Sequence, residues 1–142
     1  MKLIILSFIV ALLIQITLGE DIDKLQFMKV VSPTNGQKIK AGDKVLIKYV
    51  MQPLVFKHTS NGYAKSLKID FYQASNHTTK IHTVCSHCPV KARKHRYKSH
   101  KRHWTIPKSI KPGSYLFKFI EDTQFRRGRM TITETIKVDV VN

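Results

Sequence analysis

Acidic side chains are scarce here: nine Asp and Glu stand against 25 Lys and Arg, for a formal charge of +16. That imbalance says little about fold, but it implies long-range attraction to polyanions that falls steeply with salt. The nine carboxylates are scattered through strands and turns and offer no identifiable general acid. No Ser-His-Asp arrangement and no phosphate-binding loop stands out, so the expected protein is not an enzyme. Cysteine is nearly absent as well. The two present, Cys85 and Cys88, lie so close together that the inter-sheet disulfide of antibody domains is excluded. Beyond the first 16 residues no apolar stretch approaches membrane-spanning length, and the chain shows no internal repeat.

What is present begins with a secretory signal peptide. Lys2 supplies its basic start, Leu3 to Leu13 its apolar run, and Thr17-Leu18-Gly19 the small residues of a cleavage site after Gly19. Gln15 and Thr17 interrupt the apolar stretch, and a membrane span needs about 20 apolar residues. The C-terminal Ile136-Lys137-Val138-Asp139-Val140 alternates like a strand and lacks the spacer and tail of a lipid-anchor signal. The expected organisation is residues 1–19 as signal peptide and 20–142 as one domain, secreted and without a transmembrane anchor.

The mature part reads as strands. Val45, Ile47 and Tyr49 share one face of a run that follows the Ala41-Gly42-Asp43 turn; Leu67, Ile69 and Phe71 do the same further on. Lys80 to Val84 is a shorter run. Tyr115, Phe117 and Phe119 line one face of Ser114 to Glu121, and Ile132, Ile136, Val138 and Val140 line one face of the last strand, with Glu134 as its polar break. Ser32-Pro33-Thr34-Asn35-Gly36 and Lys111-Pro112-Gly113 are turns. About seven short strands with regular turns predict an antiparallel, immunoglobulin-like β-sandwich. At strand spacing Trp104, Tyr115 and Phe117 belong to its core rather than to a sugar-stacking platform.

One segment departs from this pattern. Residues 85–103 carry Lys91, Arg93, Lys94, Arg96, Lys98, Lys101 and Arg102 with His87, His95, His100 and His103, and almost nothing apolar. The expectation is one long basic, histidine-rich loop. Its cations can act as a point-charge comb for an acidic polymer, as a nuclear-localisation or nucleic-acid-binding patch, or, at Lys101-Arg102, as a dibasic processing site. Arg126-Arg127-Gly128-Arg129 adds charge in a later turn. Zinc is the one cofactor to weigh, with Cys85, Cys88, His100 and His103 as its ligands, but their spacing misses the usual finger pattern. An oxidising route favours a local Cys85–Cys88 disulfide instead. A thiol-disulfide oxidoreductase is disfavoured, because the pair follows a strand and precedes Pro89 in a chain without a βαβ pattern. Asn76-His77-Thr78 is an N-glycosylation acceptor at Asn76.

The order of motifs carries a resemblance. Val31-Ser32-Pro33-Thr34-Asn35-Gly36, then Ala41-Gly42-Asp43-Lys44-Val45-Leu46-Ile47-Lys48-Tyr49, then Trp104-Thr105-Ile106-Pro107 and Lys111-Pro112-Gly113-Ser114-Tyr115 resemble the immunoglobulin-like N-terminal domain of the Ser/Thr-rich, lipid-anchored fungal membrane proteins. Yeast cell-wall β-1,6-glucan synthesis proteins share that domain. Tyr49 stands where the family usually has Trp, the Ser/Thr-rich tail is absent, and the basic insertion is foreign to it. The resemblance implies a cell-surface or cell-wall module and carries over no catalytic residues. The expected function is therefore binding of an acidic polysaccharide or other polyanion outside the cell. The alternative is a secreted effector that enters a host cell and uses the basic segment in its nucleus, on nucleic acid or a nuclear protein.

Overall fold

The computed structural model describes residues 26–54 and 62–142; the expected signal peptide and its expected cleavage after Gly19 lie outside them. Eight strands follow in order: β1 (Met28–Ser32), β2 (Gln37–Lys40), β3 (Lys44–Met51), β4 (Gly62–Gln73), β5 (Asn76–Cys85), β6 (Lys98–Thr105), β7 (Gly113–Phe125) and β8 (Gly128–Val141). Among the described residues no helix is long and apolar enough to cross a membrane.

The strands form two sheets, one of three strands in the order β1-β3-β6 and one of five in the order β2-β8-β7-β4-β5. If β1 and β2 are taken as one first strand split between the sheets, this is an immunoglobulin-like arrangement. The first, second and fifth strands of that plan lie on one side; the third, fourth, sixth and seventh lie on the other, where the split-off β2 joins them. The split occurs at the Pro33–Gly36 turn. Gly36 takes φ of 80° there, a conformation open to glycine, and its N–H donates to Lys137 O at 2.8 Å. Asn35 Oδ1 accepts from Lys137 N–H at 2.9 Å, so the turn is tied to β8 before β2 pairs with it in parallel.

Period-two alternation explains the core, because a strand turns successive side chains to opposite faces. Val45, Ile47 and Tyr49 of β3 meet Leu67, Ile69 and Phe71 of β4, Tyr115, Phe117 and Phe119 of β7, and Ile136, Val138 and Val140 of β8, all buried. Phe71 sits among the rings of Tyr115, Phe117 and Trp104, with centroids 5.0–5.2 Å away. Trp104 belongs to the three-stranded sheet and the others to the five-stranded one, so this cluster joins the layers. Trp104 is only half-buried, since β6 is an edge strand.

Two carboxyl groups share the inner side. Glu121 is fully buried and accepts the backbone N–H groups of Phe27 (3.0 Å) and Met28 (3.3 Å), tying β7 to the start of β1. Burial pushes its carboxyl up to about 7, against the lowering effect of those two hydrogen bonds. Glu134, the polar break in the last strand, is half-buried and accepts Gln26 Nε2 at 2.6 Å.

The basic segment differs from its expected form. Cys85 ends β5 and Lys98 opens β6, so the loop covers residues 86–97 rather than 85–103. Lys98 to Thr105 pair with β3 along its whole length. Backbone pairing makes this strand, whose side chains show no apolar alternation.

Candidate polyanion-binding surface

The loop of 86–97 begins under tight restraint. Cys85 and Cys88 are joined by a disulfide, Cys88 is buried, and its N–H donates to Leu67 O at 2.9 Å. Tyr49 Oη donates to Pro89 O at 2.7 Å; burial pushes this phenol up to about 12, which keeps it a donor. His100 Nε2 lies 2.8 Å from Lys91 O, and a carbonyl only accepts, so that nitrogen carries the proton. Leu54 N–H donates to Arg93 O at 2.9 Å. Val90 and Ala92 pack against the core while Lys91 and Arg93 point out, a strand-like alternation without a strand partner.

After Arg93 no hydrogen bond to the described residues holds the loop until β6 begins. Arg93, Lys94, His95 and Arg96 line a shallow surface concavity, and Tyr97 is 58% exposed. Val90 and Ala92 also line a cleft with Phe27, Met51, Gly62 and Tyr63. Gly62 pairs with Phe125, and Phe27 lies 5.6 Å from the Phe125 ring, so the β7–β8 turn with Arg126 and Arg127 sits at this same end of the sandwich. The fold thus gathers two basic stretches separated by some 30 positions in the chain.

The seven cations read as one comb are divided between settings. Lys91, Arg93, Lys94 and Arg96 belong to the loop. In β6, Lys98 and Arg102 lie opposite Met51 and Ile47, on the side that faces the core; Lys101 lies opposite Lys48 on the outer side. The dibasic pair Lys101-Arg102 is therefore inside a paired strand. The outer face adds cations that attention to the loop alone misses: Lys29 of β1 and Lys44 and Lys48 of β3. Their signal is in the alternation of β3, where the residues between Val45, Ile47 and Tyr49 must face away from the core. The three strands of this sheet contain no Asp or Glu.

The zinc set is not assembled. Both sulfurs are in the disulfide, and His100 and His103 lie on opposite faces of β6, opposite Tyr49 and Leu46. His100 is occupied by Lys91 O and lies 5.5 Å from the Tyr49 ring. Among the described residues no group of three His, Cys, Asp or Glu is placed to hold a metal.

Asn76 opens β5 at the other end of the molecule, where Gln73 pairs with Tyr115. It is exposed, and its Oδ1 accepts the N–H (3.1 Å) and hydroxyl (2.6 Å) of Thr78. The 12 residues of β4 run from the basic end to this one, roughly 35–40 Å. A glycan on Asn76 would leave the basic end clear.

No family model matches this chain, and no curated protein matches it. Solved structures with a similar course include the fibronectin(III)-like modules of Clostridium thermocellum CbhA, 19% identical over 80% of this chain and 93% of that one, with a TM-score of 0.39. A family 123 glycoside hydrolase from Clostridium perfringens is 16% identical over 77% of this chain but only 23% of its own, with a TM-score of 0.44.

Proposed function

We propose that this is a secreted, non-catalytic binding module of a cell surface or wall, which attaches to acidic polymers through its basic loop. The observation that carries the reading is the placement of charge. Arg93, Lys94 and Arg96 are exposed on a loop whose root is tied by a disulfide and four hydrogen bonds. Such a root fixes the point on the domain from which the cations reach out to a polymer. The motif resemblance to fungal wall domains supports a polysaccharide matrix as the setting. Binding to immobilised acidic polysaccharide across a salt series tests it. Affinity that falls steeply with salt and weakens in a Lys91, Arg93, Lys94 and Arg96 to Gln variant is expected; salt-insensitive binding, or none, overturns the reading.

A second reading has its own observation. Arg93 to Tyr97 is a run of five exposed residues, four of them basic or histidine, which a nuclear-import receptor or nucleic acid could reach. Lys98 to Arg102 is less available, because it is paired in β6. Accumulation of the native protein, but not the loop variant, in nuclei of a neighbouring cell would favour this effector over the wall protein. Retention of both forms at the producing cell's wall would exclude it.

A further inference from the structure

We infer that the outer face of the three-stranded sheet is the principal seat for a linear acidic polysaccharide, with Lys29, Lys44, Lys48, Lys101 and His103 as its contacts. The inference rests on the polyanion reading above: it keeps the loop as a contact and adds the sheet as the larger part of the same binding surface.

The register sets the geometry. Lys29 pairs with Val50, Lys48 with Lys101, and Leu46 with His103, while Lys44 stands opposite Thr105. Four successive levels of β3, each about 7 Å from the next, therefore carry a cation or an imidazole, over about 20 Å in all. A chain lying along the strands meets basic groups at every level. Lys29, Lys44, Lys101 and His103 are exposed and Lys48 is half-exposed.

Among the described residues no ion pair offsets a cost that this face carries. Directly opposed like charges destabilise a sheet, and Lys48 faces Lys101 with no carboxylate anywhere on the three strands. On the other sheet two cations have carboxylate partners, Lys68 with Asp70 and Arg129 with Asp122, each at 3.2 Å. A polyanion supplies the missing counter-charge.

The chemistry selects a polysaccharide over nucleic acid. The aromatic residues of the sheet, Tyr49 and Trp104, are on its inner side, so the outer face has no platform for stacking bases. Its permanent cations are Lys29, Lys44, Lys48 and Lys101. Leu46 and Val50 lie between them, half-buried and open to contact with the apolar faces of sugar rings.

The test compares two variants of equal net charge by isothermal titration with heparin, a sulfated polysaccharide, as the probe. One carries Lys29, Lys44, Lys48 and Lys101 to Gln; the other carries Lys91, Arg93, Lys94 and Arg96 to Gln. The sheet variant is expected to lose about tenfold or more in affinity and the loop variant about threefold. Equal losses would show that net charge alone decides, and a larger loss in the loop variant would locate the site there; either overturns the inference while leaving the polyanion reading intact. No binding by the native protein overturns both. Tighter binding of an oligonucleotide than of heparin, lost in the sheet variant, overturns the choice of polysaccharide. A single Lys101→Glu substitution guards against misfolding: it is expected to raise the melting temperature by relieving the Lys48 repulsion while weakening heparin binding. A lower melting temperature would refute the claim of an uncompensated pair.

Discussion

The two sheets share one core but treat charge in opposite ways. On the five-stranded sheet, Asp70 is fully buried on the outer side and pairs with Lys68, and Asp122 accepts Arg129 and the Thr131 hydroxyl. Lys118 is settled too, donating to His77 O at 2.8 Å and lying 4.0 Å over the Tyr72 ring. The three-stranded sheet has six Lys and Arg and no carboxylate. Val45, Ile47, Tyr49 and Met51 are buried on its inner side; among the described residues its outer side has no ion pair. Folding required one face of each sheet, and the difference between the other faces points to a partner.

The largest effect should come from what the sheets have in common. Phe71→Ala removes the ring that bridges Trp104 of one layer to Tyr115 and Phe117 of the other, and should cost about 3–5 kcal/mol. A single cooperative thermal transition at lower temperature is expected; separate melting of the two sheets would show that they are not one folding unit.

Glu121 is the next link, reaching from β7 to the backbone of β1. Its carboxyl lies at about 7 in the folded protein, above its unfolded value, so the folded state binds the extra proton. The stabilisation is fully present below about pH 4.5 and is lost as pH rises through 7, a contribution on the order of 3 kcal/mol. Thermal melts across that window should show stability falling with pH, and Glu121→Gln should flatten the profile. An unchanged slope in the variant would assign the dependence to another group.

Replacing Cys85 and Cys88 together by Ser opens a four-residue ring and should cost about 2 kcal/mol or less by the loop-entropy estimate. The change belongs to the junction between the sheets. Limited trypsin digestion should then cut at Arg93 to Arg96 faster than in the native protein, while sites within β7 and β8 stay protected. Smallest is Lys48→Glu, which places opposite charges across β3 and β6 and should stabilise by about 0.2–1 kcal/mol. The same kind of exchange on the five-stranded sheet, Asp70→Lys, should destabilise severely, because a buried cation would then stand beside Lys68. If both exchanges behave alike in chemical denaturation, the contrast between the sheets fails.

Much of the fold was legible along the chain because the signal is local. Val45, Ile47 and Tyr49, or Tyr115, Phe117 and Phe119, declare an inner face within five residues by alternation alone. Glu121 continues that second series by position, yet its polar side chain conceals it; only the N–H groups of Phe27 and Met28, more than 90 positions away, explain it. β6 was hidden for a related reason. Lys98, His100 and Arg102 occupy its inner side at an open edge, where long cationic side chains reach solvent past the core. Its strand character comes from β3, and composition reads as loop. β2 is four residues long, too short to show a period.

The basic surface divides along the same line. Sequence alone determined the excess of cations, the disulfide-prone Cys85–Cys88 spacing and the alternation that sends Lys44 and Lys48 away from the core. Tertiary structure decided which cations are neighbours: it split the expected comb at Lys98, set Lys101 opposite Lys48, and brought Arg126 and Arg127 to the end that bears the loop. Alternation is a property of one strand and is written in its residues. Register between strands depends on backbone hydrogen bonds and on the packing of the whole core, which no single segment contains.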